Sequence, residues 1–296
     1  MTLKELGLLP PDVSEDELLQ ARSSNDYIPL IFKRYRFVGN LAMAVVQLQP
    51  LQFLLEGPRR KQYHVICGLL NRAGRLIFSN VALVHEGRFG EAMAIIDRSI
   101  FETAVKLIWL CSEPSREKFQ IFYANSLLPE IELKAIIERN IQARGTSLPI
   151  EERMLNSINR HFDAAGLRET EINGTPKMPS IAAMLTAIGR DRLDYVVAQR
   201  IGSHHVHGTW PSLLLHYLRP DKSSPEGELN FLPNGAFCEP NVNQFFYGSL
   251  LTLECIEHYA SICFGECNLS DEVFALTRSA RDAIILVLNE LHEQDR

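Results

Sequence analysis

At 296 residues, with 46% hydrophobic and 22% charged side chains, the chain has the make-up of an ordinary globular protein, long enough for one large domain or two smaller ones. A formal net charge of −6 argues against a general binder of nucleic acid or anionic membrane, since either needs a broad basic surface. The densest basic patch, Arg59, Arg60 and Lys61, reads as a solvated helix start after Pro58.

The first residues lack a basic start followed by a long apolar run, so no secretory signal is expected. No apolar run reaches the length of a membrane span. Helix signals begin at "SEDELLQAR", where Ser14 and Glu17 stand at capping-box spacing. Residues 1–30 therefore read as an N-terminal helical extension. "GLLNRAGRLIFSNVALVHEG" repeats apolar residues at three and four, with Gly87 placed to end it. The helix over 89–112 is apolar on most sides, as expected of one buried among others. A long helical pattern from Ser115 to Gly145 is predicted to bend or break at Pro129. Further helices are predicted in "PIEERMLNSINRHFDAAG", "SIAAMLTAIGRDRLDYVVAQRIGSHHVHG", "NQFFYGSLLTLECIEHYASICFG" and the C-terminal "SDEVFALTRSARDAIILVLNELHEQ".

No stretch shows the sustained alternation of a strand. The expected fold class is therefore all-α: a multi-helix bundle forming one domain over 1–296, with two long surface loops at 168–180 and 219–241. Both loops are rich in Pro, Gly, Ser and Asn. The second is long enough to cover a site or reach a partner. Six cysteines form no Cys-x-x-Cys pair and mostly lie in apolar helical stretches, as expected of reduced core thiols in the cytoplasm.

Two groups of residues can carry chemistry. On the helix 89–112, Glu91, Arg98, Glu102 and Lys106 are spaced by seven, four and four, so they share one stripe, while Asp97 stands off it. Arg98 and Glu102 can pair, and any buried member needs a partner. This is either a structural ion pair at a helix contact or a preorganised polar pocket that also takes in His204. The second group is "QRIGSHHVHGTW". As one α-helix it puts Arg200, His204 and His207 on one face and turns His205 about 100° away from His204. Gly208 and Pro211 end the helix, and a protonated imidazole is favoured at such a C-terminus.

A metal site at His204 and His207 would need a third ligand from elsewhere. No Glu-x-x-His pair is present, and Glu254 with His258 is the nearest approach, so no metal or cofactor is expected. No Gly-x-Ser-x-Gly elbow is present for a serine hydrolase. The spacing from Arg200 to His205 or His207 is similar to the Arg, four-to-six residues, His motif of HEPN ribonucleases. That resemblance implies metal-independent RNA cleavage in an all-α dimer. His205 or His207 would handle protons, and Arg200 would steady the phosphate. Ile201 departs from the motif, which usually has a polar residue there.

A second resemblance covers about half the chain. The region "LNRAGRLIFSNVALVHEGRFGEAMAIIDRSIFETAVKLIWL", with Arg98, Ser99 and Glu102, and the later Ser203, His207 and Gly208, resembles bacterial helical proteins of domain of unknown function 5677. The resemblance implies a compact bundle in which Arg98, Glu102 and His207 are neighbours. It implies no reaction. The leading expectation is a binding or regulatory module in which the Arg-His face packs against the Arg98/Glu102 stripe. The alternative is the ribonuclease. The partners these readings imply are a second copy of the chain and, for the nuclease, RNA. No membrane is implied.

Overall fold

The capping box expected at the first helix is formed. Glu17 donates its backbone N–H to Ser14 Oγ at 3.2 Å, and Ser14 N–H reaches back to Glu17 Oε2 at 3.3 Å. Helix α1 (Glu15–Ser24) follows, then α2 (Ile28–Val45), α3 (Gly57–Val84) and α4 (Gly90–Ser112). The computed structural model describes residues 3, 7–84, 86–223 and 230–294.

The long pattern after Ser115 does break beside Pro129, into α5 (Arg116–Ser126) and α6 (Leu128–Arg144). Proline lacks the N–H that a helix interior needs but is accommodated in a first turn. Then come α7 (Pro149–Ala165), α8 (Glu169–Asn173), α9 (Ile181–Ala187) and α10 (Arg192–Asp194). A π-helical stretch, Tyr195–Ile201, runs into α11 (Gly202–His207). After α12 (Trp210–Ser212) a second π-helical stretch, Leu213–Tyr217, precedes strands β1 (Leu218–Pro220) and β2 (Phe231–Pro233). Helices α13 (Val242–Phe264) and α14 (Asn268–Gln294) complete the chain. The protein is thus an all-α, multi-helix protein, and among the described residues no helix is long and apolar enough to cross a membrane.

Three expectations are corrected. The loop expected at 168–180 contains α8, where Arg168 N–H binds Glu171 Oε2 at 2.8 Å and Ile172 is buried. The loop expected at 219–241 contributes a short antiparallel pairing, with Arg219 opposite Leu232, which three-residue strands are too short to announce by alternation. Residues 224–229 of that loop, and residues 1, 2 and 4–6 of the N-terminal extension, lie outside the described residues. Third, the helix expected over 181–207 is interrupted. Gly189 adopts φ +75°, and Arg190 N–H closes back onto the Leu185 carbonyl at 2.9 Å, a Schellman-type stop. Asp191 then caps the next turn by accepting from Leu193 N–H at 2.6 Å.

Within the stretch expected as one domain, the chain groups into two compact units, Met1–Ser112 with Ile181–Arg296, and Glu113–Ser180. In the first, α2, α3, α4 and α13 share a core that includes Ile31, Tyr35, Leu70, Ile77, Ile108 and Ile256, each 1% exposed or less. Gly39 permits the approach of α2 to α3, since a Cβ there would lie 2.8 Å from Ile77 Cγ2. Tyr35 meets Phe245 edge-on at 5.2 Å. In the second unit, α5 to α8 bury Leu127, Ile137, Ile158, Phe162 and Ile172.

Candidate functional site

Helix α4 starts with Gly90 for a steric reason. A Cβ there would lie 2.2 Å from the Glu239 carbonyl oxygen, and Gly90 N–H donates to the Cys238 carbonyl at 2.9 Å. The end of the second loop is thereby laid on the start of α4. An edge-to-face contact of Phe237 with Phe89, ring centroids 5.1 Å apart, holds it there.

Within the polar stripe of α4, Arg98 and Glu102 pair as their spacing suggests, but not with the expected histidine. Arg98 Nε donates to Glu102 Oε1 at 3.1 Å, and Arg98 Nη1 donates to Ser203 Oγ at 3.0 Å. Gln199 Nε2 donates to the same Glu102 oxygen at 2.9 Å. Side chains of Arg98 and Glu102 are 18% and 30% exposed, so this is a half-buried network rather than a surface pair. His207 is exposed and takes no part, which corrects its expected packing against Arg98 and Glu102. Arg200 is exposed as well. Among the described residues, no hydrogen bond joins it to His205 or His207. The cause is the π-helical stretch, whose i to i+5 bonding shifts the phase of everything after it. Gln199 and Ser203 occupy the face that an unbroken α-helix would give to Arg200, His204 and His207.

The histidines separate accordingly. His204 Nδ1 bonds Thr209 Oγ1 at 2.5 Å and does not join the pocket it was expected to share with Arg98 and Glu102. His205, expected to face elsewhere, turns inward, and its Nδ1 lies 3.1 Å from His216 Nε2. His216 is 9% exposed, and its Nδ1 is buried without a hydrogen-bond partner among the described residues. Burial holds both imidazoles below their ordinary value, and for His205 the neighbouring His216 adds to the effect.

These groups line a cavity of about 420 Å³ between α4, the first π-helical stretch with α11, the second π-helical stretch, and the start of α13. Ala94, Val197, Ala198, Ile201 and Leu215 give it apolar walls, and Asp97, Arg98, His205, His216, Gln244 and Tyr247 give it polar ones. Asp97 Oδ1 accepts from Asn80 Nδ2 at 2.8 Å, and the same amide donates to Tyr35 Oη at 2.9 Å. As a residue Asp97 is half-buried, yet its Oδ2 is shielded and has no partner. Burial pushes this carboxyl from 3.8 up to about 8, with the Asn80 hydrogen bond pulling the other way. At neutral pH it therefore carries a proton. Tyr247 Oη is also buried without a partner, and burial raises its phenol.

Asn241 caps α13 by accepting from Asn243 N–H at 2.9 Å, and Gln244 returns the bond to Asn241 N–H at 3.1 Å. Cys238 borders the cavity, its thiol pushed up by burial and by the Glu91 carboxylate. Cys111, Cys255 and Cys263 are core thiols as expected, whereas Cys267 is exposed. Glu254, the nearest approach to a metal-binding pair, instead forms an ion pair with Arg190. Among the described residues, no three His, Cys, Asp or Glu side chains stand together as a metal site would need.

The sequence reading missed His216, Tyr247 and Asn80. One signal for the cavity was present: Asp97, the single charge on α4 out of phase with its stripe.

The family of unknown function DUF5677 matches this chain over residues 63–226. Neither a curated protein nor a solved structure matches it. The matched region carries Asp97, Arg98, Glu102, Gln199, Ser203, His205 and His216, and stops short of the loop end and of α13, which complete the cavity wall.

Proposed function

This chain belongs to the family of unknown function DUF5677, and from that footing we propose that it is a binding module whose ligand is a small organic molecule held in the α4/α13 cavity. One observation carries the reading. Three buried polar atoms, Asp97 Oδ2, His216 Nδ1 and Tyr247 Oη, belong to residues lining an open space and have no partner among the described residues. Buried polar groups left unpaired destabilise a fold by about 1–3 kcal/mol each, so a ligand that satisfies them supplies what the fold lacks. About 420 Å³ with mostly aliphatic walls suits a ligand at the small end of the drug-sized range. Core thiols such as Cys255 and Cys263, with no disulfide formed among the described residues, support a cytoplasmic setting.

The test is ligand-observed NMR of a mixed set of neutral, cationic and anionic small molecules against the wild type and Ala198→Phe, which fills the cavity from one wall. Binding that is lost in Ala198→Phe is expected. A set in which no compound distinguishes the two proteins would refute the proposal.

The ribonuclease reading stands second. Arg200 is not among the residues lining the cavity into which His205 turns, so an Arg200–His205 pair is divided between an exposed face and an inner wall, whereas His207 is exposed as Arg200 is. It requires cleavage of RNA in EDTA that is lost in His205→Ala or His207→Ala. RNA left intact by the wild type would remove it.

A further inference from the structure

We propose that the ligand of this cavity is a hydrophobic organic amine, its ammonium seated on the Asp97 carboxyl and its apolar body against the aliphatic wall. The inference rests on the binding-module reading and adds the chemical class.

The argument is one of unmatched charge. Among the described residues, the one guanidinium on the cavity wall, that of Arg98, is already committed to Glu102 and Ser203. Both histidines are held towards their neutral forms by burial. Glu239 lines the cavity, and Glu91 lies close enough to act on His216 and Cys238, with its own Oε2 buried and unpartnered. The acidic groups thus outnumber the free cations. The start of α13 offers an anionic ligand no free pair of donors, since the N–H groups of Asn243 and Gln244 are already taken by Asn241.

The groups facing Asp97 from packed elements are Asn80 on α3 and Tyr35 on α2, both uncharged. On its own helix the neighbour is the committed Arg98. Across the cavity stand His205, His216 and Tyr247. No cation among the described residues pairs with Asp97, and burial alone keeps its carboxyl protonated up to about pH 8. A bound ammonium would provide the missing counter-charge and expel that proton. The balance is simple: the carboxylic O–H loses its proton to solvent, and the carboxylate accepts N–H hydrogen bonds from the ammonium.

The experiment is isothermal titration of the full chain with tryptamine and phenethylamine, beside phenethyl alcohol and phenylpropanoate, in buffers of different ionisation enthalpy. Amines are expected to bind with affinity rising roughly tenfold per pH unit between about pH 6 and 8, releasing close to one proton per ligand. Asp97→Asn, which keeps the acceptor for Asn80, should weaken amine binding at least roughly tenfold and erase the pH dependence. Ala198→Phe should abolish it. If the alcohol or the acid binds in an Ala198→Phe-sensitive manner and the amines do not, or if Asp97→Asn leaves amine affinity unchanged, the amine proposal falls while the binding-module reading stands. If no probe of any class binds in an Ala198→Phe-sensitive manner, both fall.

Discussion

Replacing Asp97 with asparagine is expected to stabilise the protein. In the unfolded chain an aspartate ionises near 3.8, whereas in the fold burial raises Asp97 to about 8. At pH 7 the folded state therefore holds a proton that the unfolded state does not. Linkage sets this cost at 1.36 kcal/mol per pH unit above the unfolded value, or about 4 kcal/mol at pH 7. The sign follows from the proton count. Stability from this group is full below pH 4, is lost as pH rises towards about 8, and is flat above that.

Asparagine needs no proton and still accepts from Asn80, but its amide occupies the place of the unpartnered Oδ2, which returns about 1–2 kcal/mol of the gain. The net expectation for Asp97→Asn at pH 7 is therefore about 2–3 kcal/mol of added stability. For a domain of this size that is a rise in Tm of roughly 5–10 °C. The assay is urea unfolding and calorimetry of both proteins from about pH 5 to pH 8.5. The wild type should lose stability as pH rises above 6.5, and the variant should not. A variant less stable than the wild type at pH 8, or one with the same slope, would refute the account of Asp97 as a buried neutral acid. A residue that costs this much to keep is expected where binding requires it, because stability is what functional sites give up.

Three further outcomes follow from the same geometry. Gly90→Ala drives a Cβ into the Glu239 carbonyl, so it should cost about 1–3 kcal/mol in urea unfolding and displace the loop end from the cavity. His205 and His216 both titrate below their ordinary value, so at these two sites the fold binds fewer protons than the unfolded chain below pH 6.5, and their contribution to stability is lost on acidification. His216→Gln should flatten that acid limb by up to about 1.4 kcal/mol per pH unit, and an unchanged limb would show that His216 is not its source. Arg200→Ala and His207→Ala, both at exposed positions, should each stay within about 0.5 kcal/mol of the wild type in the same assay. A larger loss would revive the packed Arg-His face that the sequence suggests.

Helices were legible wherever the signal is local. Ser14 and Glu17, Pro129 and the apolar content of 89–112 act through bonds and side chains within a turn or two, and each appears as expected. The pairing of Arg98 with Glu102 was readable for the same reason, being four residues apart on one helix. What lies across from them was not. Phase arguments assume 3.6 residues per turn, and the π-helical stretch from Tyr195 to Ile201 breaks that assumption at the segment where the histidines are counted. One altered turn moves His205 from outside to inside, and His207 from inside to outside.

Tertiary partners chosen from distant sequence left even fewer marks. Asn80 is one of several polar residues on α3, beside Asn71, Arg72, Arg75 and Ser79, and only the fold reveals that it holds both Tyr35 and Asp97. His216 lies in a stretch of leucines, where an isolated histidine reads as a helix-surface residue. Yet the two share a property that periodicity can detect: each is a polar side chain at a phase where burial demands an apolar one. Asp97 shows it most clearly, because its charge falls off the stripe formed by Glu91, Arg98, Glu102 and Lys106. Burial of an unpaired carboxylate would be ruinous to the fold, so such a residue must either be neutralised or be waiting for a counter-charge. In this protein burial keeps it protonated at neutral pH, and on the amine proposal that proton is what a ligand cation would replace.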